Sequence, residues 1–183
     1  MSTPSQPAPL ERWTHRVAEV PERGIEVSRV ATSEDCAAVA EALDLVSCDR
    51  LVAAYRLRPI GGGRYRLTGE IEADVVQSCV VSLEPVRSEI TASVDEEFWP
   101  PELLPQATSG LEGEQEALAA LIAEPIVDGR LDVGRLVYEH VATALDPYPR
   151  KEGVELPDGH AESHGETARD NPFAVLARLK KEP

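Results

Sequence analysis

A long two-residue alternation of apolar and polar side chains between residues 64 and 84 constrains the fold of this chain more than any other feature. The odd positions carry the apolar set, which is Tyr65, Leu67, Ile71, Ala73, Val75, Cys79, Val81 and Leu83. Because side chains of a strand point alternately to opposite faces, this pattern predicts a strand with one buried face. The run is longer than a typical strand of about 5 to 6 residues, so we expect a bend or bulge near Gly69 or Gln77.

Pro85 separates this strand from a second one. After Pro85 the apolar positions become even, namely Val86, Ile90, Ala92 and Val94. Since proline donates no ladder hydrogen bond, Pro85 marks a bend or turn between two strands. In the first strand Cys79 and Leu83 share the apolar face, whereas Glu84 falls on the opposite one. A thiol among valines has a raised pKa, so we expect Cys79 to be a core residue rather than a nucleophile.

Further strands precede this run. Residues 13–30 indicate two short strands around a Pro-Glu-Arg-Gly turn, and residues 51–59 indicate another strand. Three glycines at 61–63 supply the positive φ angles of a hairpin loop. A glycine loop that binds phosphate normally leads into a helix, whereas a strand follows here. A hairpin is therefore predicted.

Helices near residues 33–44 and 132–145 are predicted to cover the sheet. Thr32 and Asp35 have the spacing of an N-terminal cap for the first helix, and Asp132 is the cap of the second. The apolar stripe of the first helix is Cys36, Val39, Ala40 and Leu43. A third, short helix is predicted for residues 171–183, with Asn171 as its N-cap.

The length of 183 residues allows one ordinary core with tails. We expect residues 1–10 to be disordered, residues 11–148 to form an α+β domain with a mobile acidic loop at about 100–116, and residues 149–170 to be a flexible linker. No apolar run has the length of a membrane span, and the three cysteines have irregular spacing. These observations predict a cytoplasmic protein with reduced thiols and no membrane partner.

The charge of the chain is negative and uneven. The formal net charge is -15, and residues 89–183 carry 8 Lys and Arg against 20 Asp and Glu. Between residues 89 and 129 there are ten acids and no Lys or Arg. Such a segment repels a phosphate backbone and favours a basic partner, and the alternative reading is that it only keeps the protein in solution.

Side-chain patterns for catalysis or metal binding are sparse. His160 and His164 have the i, i+4 spacing of a metal-binding helix, but flanking glycines favour a solvated linker. His140 lies on or near the apolar face of its predicted helix and is interpreted as a packed histidine. The sequence contains no nucleophile elbow, zinc-protease helix, Walker loop or dinucleotide fingerprint. We therefore predict no catalytic residue, no metal and no cofactor.

Three sequence blocks together resemble the YceD family of large ribosomal RNA subunit accumulation proteins in its alphaproteobacterial form. The blocks are "GEIEADVVQSCVVSLEPV", "LDVGRLVYEHVATALDPYPRKEGV" and "NPFAVLARLK", and the resemblance extends from about residue 13 to residue 181. The residues that carry this signature are Cys79, Leu83, Glu84, Pro85, Asp146, Pro147, Tyr148, Pro149 and Arg150. Many members have Cys-x-x-Cys where this chain has Cys79 and Ser82, so a zinc or redox role is not expected. The resemblance implies a role in 23S ribosomal RNA accumulation.

The expected fold is α+β, with a bent, mainly antiparallel and barrel-like sheet packed with two or three helices. The expected function is that of a non-enzymatic factor in ribosome biogenesis that supports maturation or accumulation of 23S ribosomal RNA. The alternative is an acidic module that holds a basic ribosomal protein before assembly. A nuclease is the least supported function, because the acids form no convergent metal-binding pattern.

Four arginines are the candidate contacts to RNA or to a partner. Arg56, Arg58, Arg64 and Arg66 straddle the three glycines of the predicted hairpin. They either gather into a basic patch at one edge of the hairpin or balance nearby acids. With a net charge of -15, any RNA contact is expected to be indirect or confined to this local patch.

Overall fold

The computed structural model describes residues 9–104 and 123–154. The chain divides into one unit, Met1–Glu152, and a second, Gly153–Pro183, of which only Gly153 and Val154 are described. Several expectations fall outside the described residues: the disorder of residues 1–8, most of the acidic loop, most of the linker, the helix at 171–183 and the pair His160 and His164.

The described chain contains seven strands and two α-helices. In order they are β1 (Thr14–Arg16), β2 (Ile25–Val30), α1 (Ser33–Ala42), β3 (Ser47–Gly61), β4 (Arg64–Ser78), β5 (Pro85–Trp99), β6 (Glu124–Pro125), β7 (Arg130–Asp132) and α2 (Val133–Ala144). Short 3-10 turns lie at Val17–Glu19 and Pro101–Leu103. The α+β fold is therefore confirmed.

The main sheet has five strands in the order β2-β3-β4-β5-β6. All pairs are antiparallel except β5 with β6, and β1 pairs with β7 in a separate two-stranded ribbon. Within residues 9–104 and 123–154, β2 and β6 are the two edges and do not pair with each other. The sheet is open over these residues, so the barrel-like closure is not confirmed.

The alternation read in the sequence corresponds to β4, which is 15 residues long. Its pairing with β5 is continuous from Tyr65 opposite Phe98 to Ser78 opposite Pro85, so the bulge expected near Gly69 or Gln77 is not in this ladder. The irregularities lie instead in β3, between Cys48 and Arg50 and between Pro59 and Gly61. A bulge in the partner strand bends a long hairpin without interrupting the alternation of β4.

The predicted phase switch after Pro85 is confirmed and follows from the register. Because Ile71 lies opposite Ala92, every odd residue of β4 faces an even residue of β5. The side chains of Ile90, Val94 and Phe98 therefore enter the same core as Leu67 and Ile71. One face of the sheet is thus apolar across all its long strands, and we name the opposite side the outer face.

Both helices and the β1–β7 ribbon pack on the apolar face. α1 contributes Cys36 and Val39 to the core, and α2 contributes Leu136, Val137 and Val141. The N-terminal approach also joins this core, because the Trp13 carbonyl accepts a hydrogen bond from Gly134 N at 2.9 Å. Leu10, which the sequence placed in the disordered N-terminus, is 2% exposed, since it is apolar and lies beside Trp13 over α2.

The local signals for caps and turns are realised as predicted. Thr32 and Asp35 form a complete capping box at α1, and the Asp132 carboxylate accepts a hydrogen bond from Arg135 N at 3.0 Å at the start of α2. Such caps each contribute about 1 kcal/mol. The glycines at 61–63 all have positive φ, between 61° and 90°, as the β3–β4 hairpin requires.

Gly69 allows β3 and β4 to approach closely at the centre of the sheet. It lies opposite Tyr55 in β3 and opposite Val94 in β5. A Cβ atom at Gly69 would lie 2.7 Å from Tyr55 Cβ and 2.6 Å from Tyr55 Cα, and closer still to the Ala54 carbonyl oxygen. These are backbone or near-backbone atoms, which cannot rotate away.

We predict that Gly69→Ala destabilises the protein by about 1–3 kcal/mol, because the added methyl group overpacks the β3–β4 contact. Urea denaturation followed by circular dichroism measures the change. The neighbouring Glu70→Ala, on the exposed face, is the matched control and should stay within about 0.5 kcal/mol of the wild type. Equal stability of the two variants would contradict this account of Gly69.

Candidate functional site

The turn between β4 and β5, residues 79–84, is closed by its own backbone. Cys79 N donates to the Glu84 carbonyl at 2.8 Å, and Leu83 N donates to the Cys79 carbonyl at 2.9 Å. Leu83 has a φ of 61°, which is uncommon for a leucine. The prediction that Leu83 shares the buried face is wrong, because its side chain is 78% exposed. β4 ends at Ser78, so strand alternation no longer decides the direction of Leu83.

Residues 146–151 follow α2 and are fixed at both ends. The Asp146 carboxylate accepts a hydrogen bond from Tyr148 N at 2.9 Å, which is an Asx turn. The Asp146 carbonyl accepts a second hydrogen bond from the Gln77 side chain at 2.9 Å. Pro149 is buried, and its carbonyl accepts a hydrogen bond from Val80 N at 2.9 Å.

The structure thus joins the two sequence blocks that carry the predicted signature. We name residues 79–84 together with residues 146–151 the signature junction. A salt bridge of 3.0 Å between Lys151 Nζ and Glu84 Oε2 adds to its backbone contacts, and Lys151 lowers the pKa of Glu84. Of the nine signature residues, only Pro85 lies beyond the junction, as the first residue of β5. Separation along the chain hid this proximity from sequence reasoning.

Cys79 occupies the centre of the signature junction. Its sulfur accepts hydrogen bonds from Ser82 N and from Lys151 N, each at 3.4 Å. The Ser82 side chain, then Ser82 N and Lys151 N, lower the pKa of Cys79 to about 6, against a smaller raising effect of desolvation. The burial predicted for Cys79 is confirmed, but the predicted rise of its pKa is wrong. Donors to the thiolate outweigh the apolar neighbours on which that expectation rested.

Apolar side chains project from this fixed junction into solvent. Val80, Leu83 and Tyr148 are 47%, 78% and 71% exposed. Arg150 is exposed beside Pro149, and Lys151 forms a salt bridge with Glu84. The junction therefore presents an aromatic ring and a leucine on a backbone that is already ordered.

The four candidate arginines lie near the β3–β4 hairpin, and carboxylates or a ring accompany three of them. Arg66 forms a bidentate pair with Asp95, with both distances at 2.7 Å. Arg56 lies 3.9 Å from Glu26, and the Arg64 guanidinium lies 5.1 Å from the centre of the Trp99 ring. Arg58 is opposite Arg66 across the ladder, and its charge contributes to the lowered pKa of Asp95.

Part of the acidic segment is engaged in contacts within the protein. Arg135 of α2 forms ion pairs with Glu124 and Glu139. Glu96 lies 3.6 Å from His140, whose side chain is largely buried against β5, and Glu97 accepts a hydrogen bond from the Trp99 indole at 2.9 Å. Glu96 of β5 and Glu124 of β6 thus each contact α2, whereas Glu97 contacts a residue of its own strand. His140 therefore packs between α2 and β5.

A polar cluster that the sequence did not reveal lies among β1, β2 and β3. His15 Nε2 and the Tyr55 hydroxyl are 2.7 Å apart, and Arg29 Nε donates to the same hydroxyl at 3.2 Å. Burial, followed by the charge of Arg29, lowers the pKa of His15. Three separate strands supply these residues, so no local spacing marks them. Among residues 9–104 and 123–154, no group of three or more His, Cys, Asp or Glu side chains is arranged to hold a metal ion.

A protein-family model matches more than half of the chain. The model of the family described as "Large ribosomal RNA subunit accumulation protein YceD" matches residues 67–180, which includes both halves of the signature junction. No curated protein and no solved structure matches the chain. In the described part of the chain, neither helix has the length and apolar character needed to cross a membrane.

We predict a single thiol ionisation near pH 6 in the folded protein, because the pKa of Cys79 is lowered to about 6 whereas burial raises the pKa values of Cys36 and Cys48. The ultraviolet absorbance of the thiolate, followed against pH, measures it. Cys79→Ser should remove the step and Cys36→Ser should retain it.

The same shift gives the sign of a stability effect. Because the pKa of Cys79 in the folded protein is below its ordinary value of 9.0, ionisation of this thiol stabilises the folded state. The contribution is complete at pH values above 9.0 and is lost as the pH falls towards about 6. The stability difference between wild type and Cys79→Ser should shrink over this range. An absorbance step that occurs only above pH 8 would contradict the hydrogen bonding described for Cys79.

Proposed function

The chain belongs to the YceD family, and from this premise we propose that it is a non-enzymatic cytoplasmic factor that supports the accumulation of 23S ribosomal RNA. The family description links it to large-subunit ribosomal RNA. In this proposal the protein acts by binding a component of the assembling subunit, and the signature junction is its contact surface.

The observation that carries this proposal is the exposure of apolar side chains on the ordered junction. Leu83 and Tyr148 are more than two-thirds exposed, yet the backbone around them is fixed by hydrogen bonds to Cys79, Val80 and Asp146. Exposed apolar groups that cluster often mark an interaction site. Prior ordering lowers the entropy lost on binding, so such a surface binds more tightly than a mobile one.

A direct RNA contact, in this proposal, involves the four arginines at the hairpin. Such a contact would disrupt existing ion pairs, because phosphates would compete with Asp95 for Arg66 and with Glu26 for Arg56. Arg58 has no ion pair with another described residue and is the arginine most available to a phosphate. The contact is therefore local and strongly dependent on salt.

The alternative function is a module that holds a basic ribosomal protein before assembly. The outer face of the sheet favours it, because acids outnumber cations along the middle of β4 and β5. Glu70, Glu72, Asp74 and Glu89 lie there, and among them Glu72 forms an ion pair, with Arg50 at 2.8 Å. A basic protein would neutralise such a face, whereas RNA would be repelled by it.

Crosslinking in cells, read out for both RNA and protein, tests the junction and separates the two functions. We predict that Leu83→Ser combined with Tyr148→Ala lowers recovery of the crosslinked partner by about tenfold or more, as for central interface residues. Val30→Ser, which removes another exposed apolar side chain, 68% exposed and on β2, is the matched control.

Unchanged recovery with the double variant, with its thermal stability retained, would overturn the role of the junction. Recovery of ribosomal RNA without any ribosomal protein would count against the protein-holding module. A ribosomal protein recovered at low salt and lost at high salt, without RNA, would favour that module over direct RNA binding.

For the arginines, we predict that replacing Arg56, Arg58, Arg64 and Arg66 by glutamine weakens RNA binding in a filter assay. The slope of log affinity against log salt should fall by up to about 3, since each lost phosphate contact on a single strand removes about 0.7. The control variant carries Arg50→Gln and Arg87→Gln, which remove arginine charge at the other end of the long strands, away from the hairpin. A salt-dependent affinity that survives the fourfold replacement would dismiss the arginines as the RNA contact.

A further inference from the structure

Two of the three cysteines form a pair between α1 and β3. Cys36 lies in the first half of α1, Cys48 lies near the start of β3, and each is 8% exposed. Each thiol influences the pKa of the other, and both residues belong to the same core cluster. The Cys48 thiol also donates towards the Arg50 carbonyl at 3.7 Å. Both are free thiols in the structure.

The β3 bulge is what directs Cys48 towards α1. Cys48 lies opposite Val75, and Arg50 lies opposite Asp74, so Asp49 is one extra residue in β3. In a regular strand without the bulge, Asp49 would lie opposite Val75, and Cys48 would share the parity of Arg50 and point to the outer face. The insertion therefore places the thiol on the core side, where Cys36 of α1 lies.

One cavity is lined by both cysteines. It has a volume of about 610 Å³, and its lining includes Cys36, Cys48, Ala37, Ala40 and Val46. Alanines on the α1 side leave room that longer side chains would fill. Both cysteines thus lie at the wall of this cavity, although each residue is only 8% exposed.

We propose that Cys36 and Cys48 form a redox-active dithiol that a low-molecular-weight disulfide converts into a covalent link between α1 and β3. One cysteine, as its thiolate, attacks a sulfur of the oxidant and releases one thiolate of that molecule, which leaves a mixed disulfide. The second cysteine loses its proton and displaces the remaining oxidant thiolate. Two electrons and two protons pass to the oxidant, which becomes two thiols, and a single Cys36–Cys48 disulfide remains.

The environment makes this reaction slow at neutral pH. Burial is the main cause that raises the pKa values of both thiols, that of Cys48 to about 12, and the charges of Asp49 and, for Cys36, Asp35 add to it. Because the thiolate is the attacking species, the pair resists brief oxidation and responds to sustained exposure. Cytosolic disulfides of this kind usually serve as redox sensors rather than as permanent structure.

Oxidised glutathione tests the proposal in a Cys79→Ser background, in which only the pair remains. Non-reducing peptide mapping by mass spectrometry should show both thiols lost together in one intramolecular disulfide, reversed by dithiothreitol. The rate should rise about tenfold per pH unit between pH 7 and pH 9, as the thiolate fraction does. In the same background, Cys36→Ser and Cys48→Ser are matched controls that should form no such link. Circular dichroism before oxidation checks the fold.

Three results would overturn the proposal: a stable glutathione adduct on either cysteine, a disulfide between two chains, or two thiols that remain free after prolonged exposure at pH 9. If Cys79→Ser does not fold, the same mapping of the wild-type chain is decisive, because peptides distinguish a Cys36–Cys48 link from any link to Cys79.

Discussion

The antiparallel register of β3, β4 and β5 is the constraint on which the rest of the structure depends. Three 15-residue strands keep one apolar face along their whole length. A shift of one residue in any of them would move its apolar side chains to the outer face. The positions of α1, α2 and the β1–β7 ribbon follow, because each element covers part of that single apolar face.

The signature junction is a consequence of where this ladder stops. β4 ends at Ser78, so Cys79 is the first residue free of strand geometry, and its turn can present backbone N–H groups to its own sulfur. Residues 146–151 complete the arrangement by adding Lys151 N. The Cys79 sulfur accepts several hydrogen bonds, and no second cysteine lies at the junction. Its surroundings therefore resemble an anion-binding site in which the anion is the Cys79 thiolate itself.

Local sequence signals predicted those parts of the structure that local interactions form. The capping box at Thr32, the glycine hairpin, the phase switch after Pro85 and the Asp132 cap all depend on residues within a few positions of each other. Alternation does not predict the exposure of Leu83, because β4 ends at Ser78 and strand geometry ends with it. The pKa of Cys79 follows mainly from Ser82, which the turn after β4 directs at the sulfur, and further from Lys151 N, which is 72 residues away, and strand alternation indicates neither donor. Likewise, Asp95, which pairs with Arg66, is 29 residues away, and no spacing rule connects them.

The position of the bulge is a separate case. An unusually long alternation indicates that a hairpin must bend, but it does not indicate which of the two strands contains the bulge.

The connectivity of the sheet also bears on the order in which the molecule assembles. β3, β4 and β5 are consecutive in sequence and pair with their neighbours through short loops, so these contacts close little chain and are expected to form early. The hydrogen bond between Val80 and Pro149 and the pairing of β1 with β7 bring together distant parts of the chain. These contacts are therefore expected to form after β3, β4 and β5 have paired. The surface that carries Leu83 and Tyr148 is therefore complete only at the end of folding, so a newly made chain does not offer it to a partner before its core is in place.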